Sequence, residues 1–364
     1  MTPTARTVIV GLGPIAAAEA AERVAAALLP TGLPLGGWLV AEPEEEALRA
    51  ALAMPSALTV VVYGPARATV EAVRRVVEQA AGRPLTAGAG VLEGDRTVVV
   101  IAGEGLDRAL AEHVVPRART RARGFVAVRT LRVAGVGIRD VEERLADWLT
   151  AAGEVRVTLL SAPAETWVRL EARGASEAAA REVLDAADLK IVARLGDDCF
   201  GRDDETLEQV VGRRLLERGA TLAVAESCTG GLLGHRLTSV PGSSAWFERG
   251  VMVYSNRAKE ELLGVPADVL RAHGAVSAPC AEAMVRGVRR LAGADCGLAV
   301  TGIAGPYGGT PVKPVGTVFI GVAVGEAVST HHFGFAGDRA SIKWQSAQAA
   351  LDLLRRRLAG APGR

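Results

Sequence analysis

The chain has 364 residues, 42 Lys and Arg against 41 Asp and Glu, and 49% hydrophobic content. That length exceeds one average core, so two or three domains are expected, and the near-balanced charge gives no bulk attraction to nucleic acid or to a membrane surface. Cys199, Cys228, Cys280 and Cys296 are widely spaced with no C-x-x-C, and no uncharged apolar run could span a bilayer; neither a zinc site, a disulfide framework nor a membrane span is suggested, and a reducing cytoplasm fits.

Residues 7–12 and 58–63 (LTVVVY) read as buried strands, each followed by an alanine-rich amphipathic helix, at 15–28 and 66–82. RTVVVIAG, 96–103, is a third strand before a helix around 105–115; strands alternating with helices predict a parallel α/β sheet. RTVIVGLGPIAAAEA reads as strand, turn and helix rather than as a signal peptide, because Gly11, Gly13 and Pro14 interrupt its apolar run. The basic run PRARTRARG, 116–124, closes this region and reads as a solvated linker.

Residues 128–195 form a small α+β module. VRTLRVAGVG is a strand ending in glycines, IRDVEERLADWLTAA a helix, VRVTLLSA and TWVRLEARG half-buried strands, and SEAAAREVLDAADLKIVARLG a second helix. DDCFGRDDE, 197–205, reads as a polar linker before the helix TLEQVVGRRLLERG. Beyond it the pattern is again α/β. Strands are predicted at 221–225, 249–254, 296–301, 315–324 and 329–335, and helices at 230–239, 256–263, 278–292 and 339–358.

Four segments of the last third carry candidate chemistry. In TLAVAESCTGGLLG, Ser227 lies between a strand and a helix, where free N–H groups and the helix dipole favour a nucleophile and its oxyanion. Gly230 and Gly231 permit close backbone approach, which also suits a phosphate; Ser227 or Thr229 would equally serve as a plain N-cap. In VMVYSNRAKEELLGVP a strand delivers Tyr254, and Ser255 or Asn256 caps a helix whose first turn holds Lys259. A cation there opposes the helix dipole, which would lower its pKa toward a neutral amine base; a solvated lysine is the plain alternative. LAVTGIAGPYGGTPVKPVGTV places Thr301, Gly302 and Gly305 in a loop whose amides suit an oxyanion or phosphate, and in GDRASIKWQ Arg339 starts a helix after the cap Asp338. Strand ends in an open parallel sheet converge on one crevice, so these residues would share a pocket without any metal.

The stretches AESCTGGLL, PGSSAWFERGV, YSNRAKEELLGV, HGAVS, AVTGIAGPYGGTPVKPVGTV and GDR closely resemble the C-terminal domain of the CinA (competence/damage-inducible) family. The resemblance implies an α/β amidohydrolase domain at 203–360. It would hydrolyse the carboxamide of nicotinamide mononucleotide to nicotinic acid mononucleotide and ammonia, with neither metal nor cofactor. Position by position, Ser227 resembles the family's nucleophile, Lys259 and Tyr254 its activating pair, and Thr301 and Arg339 its polar pocket residues. Amides of the 229–231 turn or the 302–305 loop are expected at the oxyanion, and Gly-rich amides with Arg339 at the phosphate. Tyr307 and Val312 depart from the family's smaller or acidic residues, which puts loop shape in question.

Residues 127–198 resemble the family's KH-like middle domain. Only GVG stands at 135–137 where an RNA clamp needs G-x-x-G, so nucleic acid is not an expected partner. Residues 1–126 resemble a degenerate molybdopterin-binding-like α/β domain: GLGPIAAAE and YGPARATVEAV lack the carboxylates of the family's metal-dependent ADP-ribose pyrophosphatase, and no such activity is expected. The resemblance also implies a homodimer. The rival reading, suggested by the family's name, is a non-catalytic nucleotide-sensing or interaction protein in competence or DNA repair.

Overall fold

Side-chain alternation decides which way each strand faces in this computed structural model, which describes residues 3–82, 84, 90–93, 96–122, 124–151 and 153–360. By compactness the chain divides into two units, Met1–Arg129 with Ala151–Arg156 and Leu170–Asp188, and Thr130–Thr150 with Val157–Arg169 and Leu189–Arg364.

The first sheet contains β1 (Ala5–Val10), β2 (Leu35–Ala41), β3 (Leu58–Tyr63), β4 (Gly90–Leu92) and β5 (Thr97–Ala102), in the order β2-β1-β3-β5-β4. β1, β3 and β5 are parallel as expected, β2 joins them in parallel beside β1, and β4 runs antiparallel to β5. Along β3, Leu58, Val60 and Val62 enter one core layer and Val61 the other. The strand β2 and the helix Glu45–Ala53 were not anticipated. Of the basic run, expected to be a linker, residues 116–121 lie in the helix Val115–Arg121, with Arg117 paired to Glu93 at 2.9 Å; Arg123 lies outside the described residues.

A four-stranded sheet follows, ordered β7-β8-β6-β9, from β6 (Phe125–Val133), β7 (Val155–Ala162), β8 (Glu165–Gly174) and β9 (Cys199–Arg202). The expected linker at 197–205 therefore contains a strand. β9 pairs antiparallel with β6, a tertiary contact that its short polar sequence does not signal. The glycine turn at 135–137 packs closely: a Cβ on Gly135 would meet Asp352 Oδ2 at 2.8 Å and Arg356 at 2.9 Å. Those two residues belong to a buried ionic cluster in which Arg356 bonds Asp198 and Asp352, each at 2.8 Å.

The last sheet contains β10 (Leu222–Glu226), β11 (Phe247–Met252), β12 (Cys296–Gly302), β13 (Thr317–Val324) and β14 (Ala327–Gly334), ordered β11-β10-β12-β13-β14. It is mixed rather than parallel. β10, β11 and β12 run together, while β13 and β14 form an antiparallel hairpin joined by a two-residue turn too short for a parallel crossover. Leu222 and Val224 enter the core under the helices Leu207–Arg218 and Arg339–Leu358, and Ala223 and Ala225 face the helix Ala278–Ala292. That second layer is lined by small residues because the helix lies close: a Cβ on Gly321 would sit 2.6 Å from the Ala281 carbonyl oxygen. The parallel strands β10 and β12 thus end side by side, and the candidate residues follow them.

Candidate active site

β10 is fully buried and ends on Glu226, whose carboxylate is 3% exposed. It accepts the backbone N–H groups of Gly231 at 3.0 Å, Leu233 at 3.0 Å and Gly234 at 2.7 Å. Those are orphan donors at the start of the helix Leu232–Thr238, so a carboxylate from the preceding strand does the capping. Neither Ser227 nor Thr229 is the N-cap. The chain turns back through Gly230 and Gly231 at φ +59° and +91°, a conformation that glycine adopts without strain.

Ser227 is thereby left free of any capping duty. Its N–H continues the ladder to the Val300 carbonyl at 3.0 Å, and its Oγ lies within hydrogen-bond distance of Lys259 Nζ, at 3.2 Å. Lys259 is 1% exposed. Its other partners are the backbone carbonyls of Val253 at 2.8 Å and Tyr254 at 3.3 Å, and among the described residues no carboxylate pairs with it. Burial lowers its pKa below the ordinary lysine value, with the neighbouring Cys280 and Cys228 acting in the opposite direction. The helix Asn256–Leu263 that presents it is capped by Ser255 Oγ, which accepts the Ala258 N–H at 3.1 Å, and is closed by Gly264. Beside the serine, burial pushes the Cys228 thiol up to about 11, so it stays protonated and is no rival nucleophile.

The geometry separates Tyr254 from the role expected of it. Its side chain is 63% exposed, and its phenol oxygen accepts from Arg339 NH2 at 3.2 Å. What touches Lys259 is the Tyr254 backbone carbonyl. Successive residues at a strand end point to opposite sides, so burying Val253 sends the phenol outward. Arg339 also donates to the Gly305 carbonyl at 2.7 Å, tying the loop after β12 to the start of the last helix.

The other expected residues have packing duties. Thr301 is buried and its Oγ1 donates to the Ala275 carbonyl at 2.8 Å, which clasps the 274–277 turn. A Cβ on Gly302 would meet Val318 Cγ2 at 2.6 Å, and one on Gly305 would meet Val315 Cγ1 at 2.6 Å; close packing requires glycine at both. The Gly231 amide is taken by Glu226, and the Gly230 amide donates to the Ser227 carbonyl at 3.2 Å, so neither is free for an oxyanion. Among the described residues, the N–H groups of Cys228 and Thr229 donate to no backbone carbonyl, and the buried Thr229 Oγ1 has no hydrogen-bond partner.

A cavity of about 770 Å³ opens beside this turn at Leu232, lined by apolar groups such as Ala304 and Val315 together with Asp338, Arg339, Lys343 and Trp344; Ser227 and Lys259 are not part of its lining. A Cβ on Gly230 would lie 3.5 Å from Lys343 Nζ, so a second cation stands over the serine turn. Lys343 was missed in the sequence; its signal was the spacing, one helical turn after Arg339 on the same face. Glu226 was missed as well, since its three bonds appear only once the chain folds back. Among the described residues no group of three or more His, Cys, Asp or Glu is placed to hold a metal ion, and no helix is long and apolar enough to cross a membrane.

Two family descriptions match the chain: "Damage-inducible protein CinA KH domain" over residues 128–201 and "CinA C-terminal domain" over residues 204–358. A CinA-like protein of Geobacter sulfurreducens is 38% identical over 390 residues, covering 93% of this chain and 94% of the relative. A CinA-like protein of Syntrophus aciditrophicus is 49% identical over 235 residues, 64% of this chain and 56% of the relative. A competence-damage inducible protein of Moorella thermoacetica is 49% identical over 236 residues, 65% of this chain and 57% of the relative. The match thus spans little more than half of these two relatives. Among solved structures, the competence damage-inducible protein A of Klebsiella pneumoniae is 39% identical, covers 42% of this chain and 95% of its own, and has a TM-score of 0.41.

Proposed function

The chain belongs to the CinA family, and from that premise we propose that it hydrolyses the carboxamide of nicotinamide mononucleotide to nicotinic acid mononucleotide and ammonia. The observation that carries this reading is the Ser227–Lys259 pair: a buried amine whose partners among the described residues are one hydroxyl and two carbonyls. An ammonium would donate to all three. A neutral amine keeps two N–H bonds for the carbonyls and turns its lone pair to the serine proton, which is what a general base requires.

Ser227 Oγ attacks the carboxamide carbon as its proton passes to Lys259. The oxyanion forms beside the Cys228 and Thr229 amides, which donate to no backbone carbonyl among the described residues. The lysine returns the proton to the leaving nitrogen, ammonia departs, and an ester to Ser227 remains. Water, deprotonated by the same amine, cleaves that ester and restores the serine. Arg339 and Lys343 supply positive charge to the cavity for the substrate's phosphate. Tyr254 acts through Arg339, which it anchors, rather than on the amine.

The test is ammonia release from nicotinamide mononucleotide by the full chain, alongside Ser227→Ala. Turnover by the chain and its loss in the variant support the reading. A full chain that binds the nucleotide without releasing ammonia would favour the sensing role instead.

A further inference from the structure

We propose that Trp344 positions the substrate, and that the turn between β7 and β8 holds this residue in place from the middle segment of the chain. The inference rests on the reading that the cavity receives the nucleotide. Trp344 is 36% exposed and lines that cavity beside Lys343. Its indole N–H donates to the carbonyl of Pro163, in the turn that joins β7 to β8, at 3.0 Å. A residue of the last helix that forms part of the cavity wall is therefore anchored by a segment preceding that sheet in sequence.

A second contact fixes the ring. The guanidinium carbon of Arg236 stands 4.6 Å from the indole centroid. Arg236 is 5% exposed and bonds Glu208 at 2.7 Å and Gln348 at 2.6 Å. Its NH1 is buried with no hydrogen-bond partner among the described residues, so the indole is the compensation within reach. Gln348 in turn donates to Glu165 at 2.6 Å, at the start of β8, and Glu165 accepts from Arg132 at 2.8 Å and Trp167 at 2.9 Å. Both supports of the indole, the Pro163 carbonyl and the Arg236 stack, thus lead to the same hairpin.

A wall held at its edge and by a stacked cation does not have to be ordered when a ligand arrives. Fixing it in advance removes that entropic cost from binding. Arg339 and Lys343 already bring charge to the cavity, and Trp344 adds a flat apolar surface for a planar or sugar-like group of a mononucleotide. None of its contacts reaches Ser227 or Lys259, so its influence belongs in KM rather than in kcat.

The experiment is steady-state ammonia release by the full chain over a range of nicotinamide mononucleotide concentrations. Trp344→Ala is expected to raise KM about tenfold while kcat changes less than about threefold. Trp344→Phe keeps a ring but loses the N–H to Pro163, and a rise in KM of about threefold is expected. The inference is overturned if the unmodified chain turns over and Trp344→Ala leaves KM within about twofold, or if kcat carries the whole loss. Should Trp344→Ala fail to fold, Trp344→Phe decides, and an unchanged KM there overturns the inference. No ammonia from the unmodified chain would overturn the reading of the site and this inference with it.

Discussion

Two strand-to-helix turns in this chain have the same topology and opposite fates. β1 runs into Gly11, Leu12 and Gly13 before the helix Pro14–Leu28; β10 runs into Ser227, Cys228, Thr229, Gly230 and Gly231 before the helix Leu232–Thr238. Both occupy the carboxyl end of a parallel strand flanked by parallel neighbours, where open α/β sheets bind ligands. In the first, the crevice is filled by the chain itself. A Cβ on Gly64 would meet the Gly11 carbonyl oxygen at 2.4 Å, and Leu12 Cδ2 lies 3.3 Å from the same construction on Gly103. In the second, the carboxylate of Glu226 takes three amides at the helix start and leaves the Ser227 hydroxyl against the buried amine of Lys259. The fold supplies the crevice in both; the side chains at the turn decide whether it carries chemistry.

The largest effect that separates the two turns is expected from Ser227→Ala. Ammonia release should fall by at least about a thousandfold. Because Ser227 caps nothing, the free energy of unfolding should change by less than about 1 kcal/mol, measured by chemical denaturation. A loss of stability with activity retained would show that the second turn is as structural as the first.

Next in size is Glu226→Gln. An amide oxygen accepts the three N–H groups more weakly than a carboxylate, so the turn loosens. The expected cost is about 1–3 kcal/mol of stability, together with a fall in kcat of about tenfold or more as the serine drifts from the lysine. Unaltered kcat in a folded variant would mean that the serine turn holds its shape without the carboxylate.

A smaller effect is expected of Tyr254→Phe. Its phenol anchors Arg339 and does not touch the amine, so KM should rise by less than about tenfold with kcat nearly kept. A dead Tyr254→Phe would return the tyrosine to the proton path. Smallest of all is the first turn's own test. With Leu12 in its crevice and no carboxylate in its turn, the full chain should show no ADP-ribose cleavage that depends on added divalent metal. Saturable cleavage abolished by a chelator would contradict this.

The C-terminal helices were the most legible part of the sequence. The helices Ala278–Ala292 and Arg339–Leu358 stand where periodicity placed them, because Ser277 and Asp338 cap them and accept the amides of Cys280 at 3.3 Å and Ser341 at 2.8 Å. β2 escaped notice because LGGWLVA carries two glycines and lies at a sheet edge, where its pairing with β1 rather than its own propensity makes the strand. The site divides the same way. Ser227 and Lys259 were readable from local pattern, since each stands in an identifiable turn or cap. The capping by Glu226, the outward phenol of Tyr254 and the anchoring of Trp344 by Pro163 depend on contacts between distant segments, which no local pattern encodes.

The central claim is that Lys259 is a neutral base for Ser227, and the pH dependence of kcat/KM tests it most directly. Burial depresses the folded pKa, so the unfolded chain binds the lysine proton over a window below the ordinary value of 10.5 in which the folded chain does not. Across that window stability rises with pH, and Lys259→Met should remove this part of the slope. Over the same range the fraction of neutral amine grows, so kcat/KM for nicotinamide mononucleotide should climb with pH through an ionisation below 10.5. Lys259→Arg nearly keeps the reach but stays a cation that cannot release its proton, and is expected to be as inactive as Lys259→Ala. An arginine variant with substantial activity and an unchanged acid limb would contradict the account.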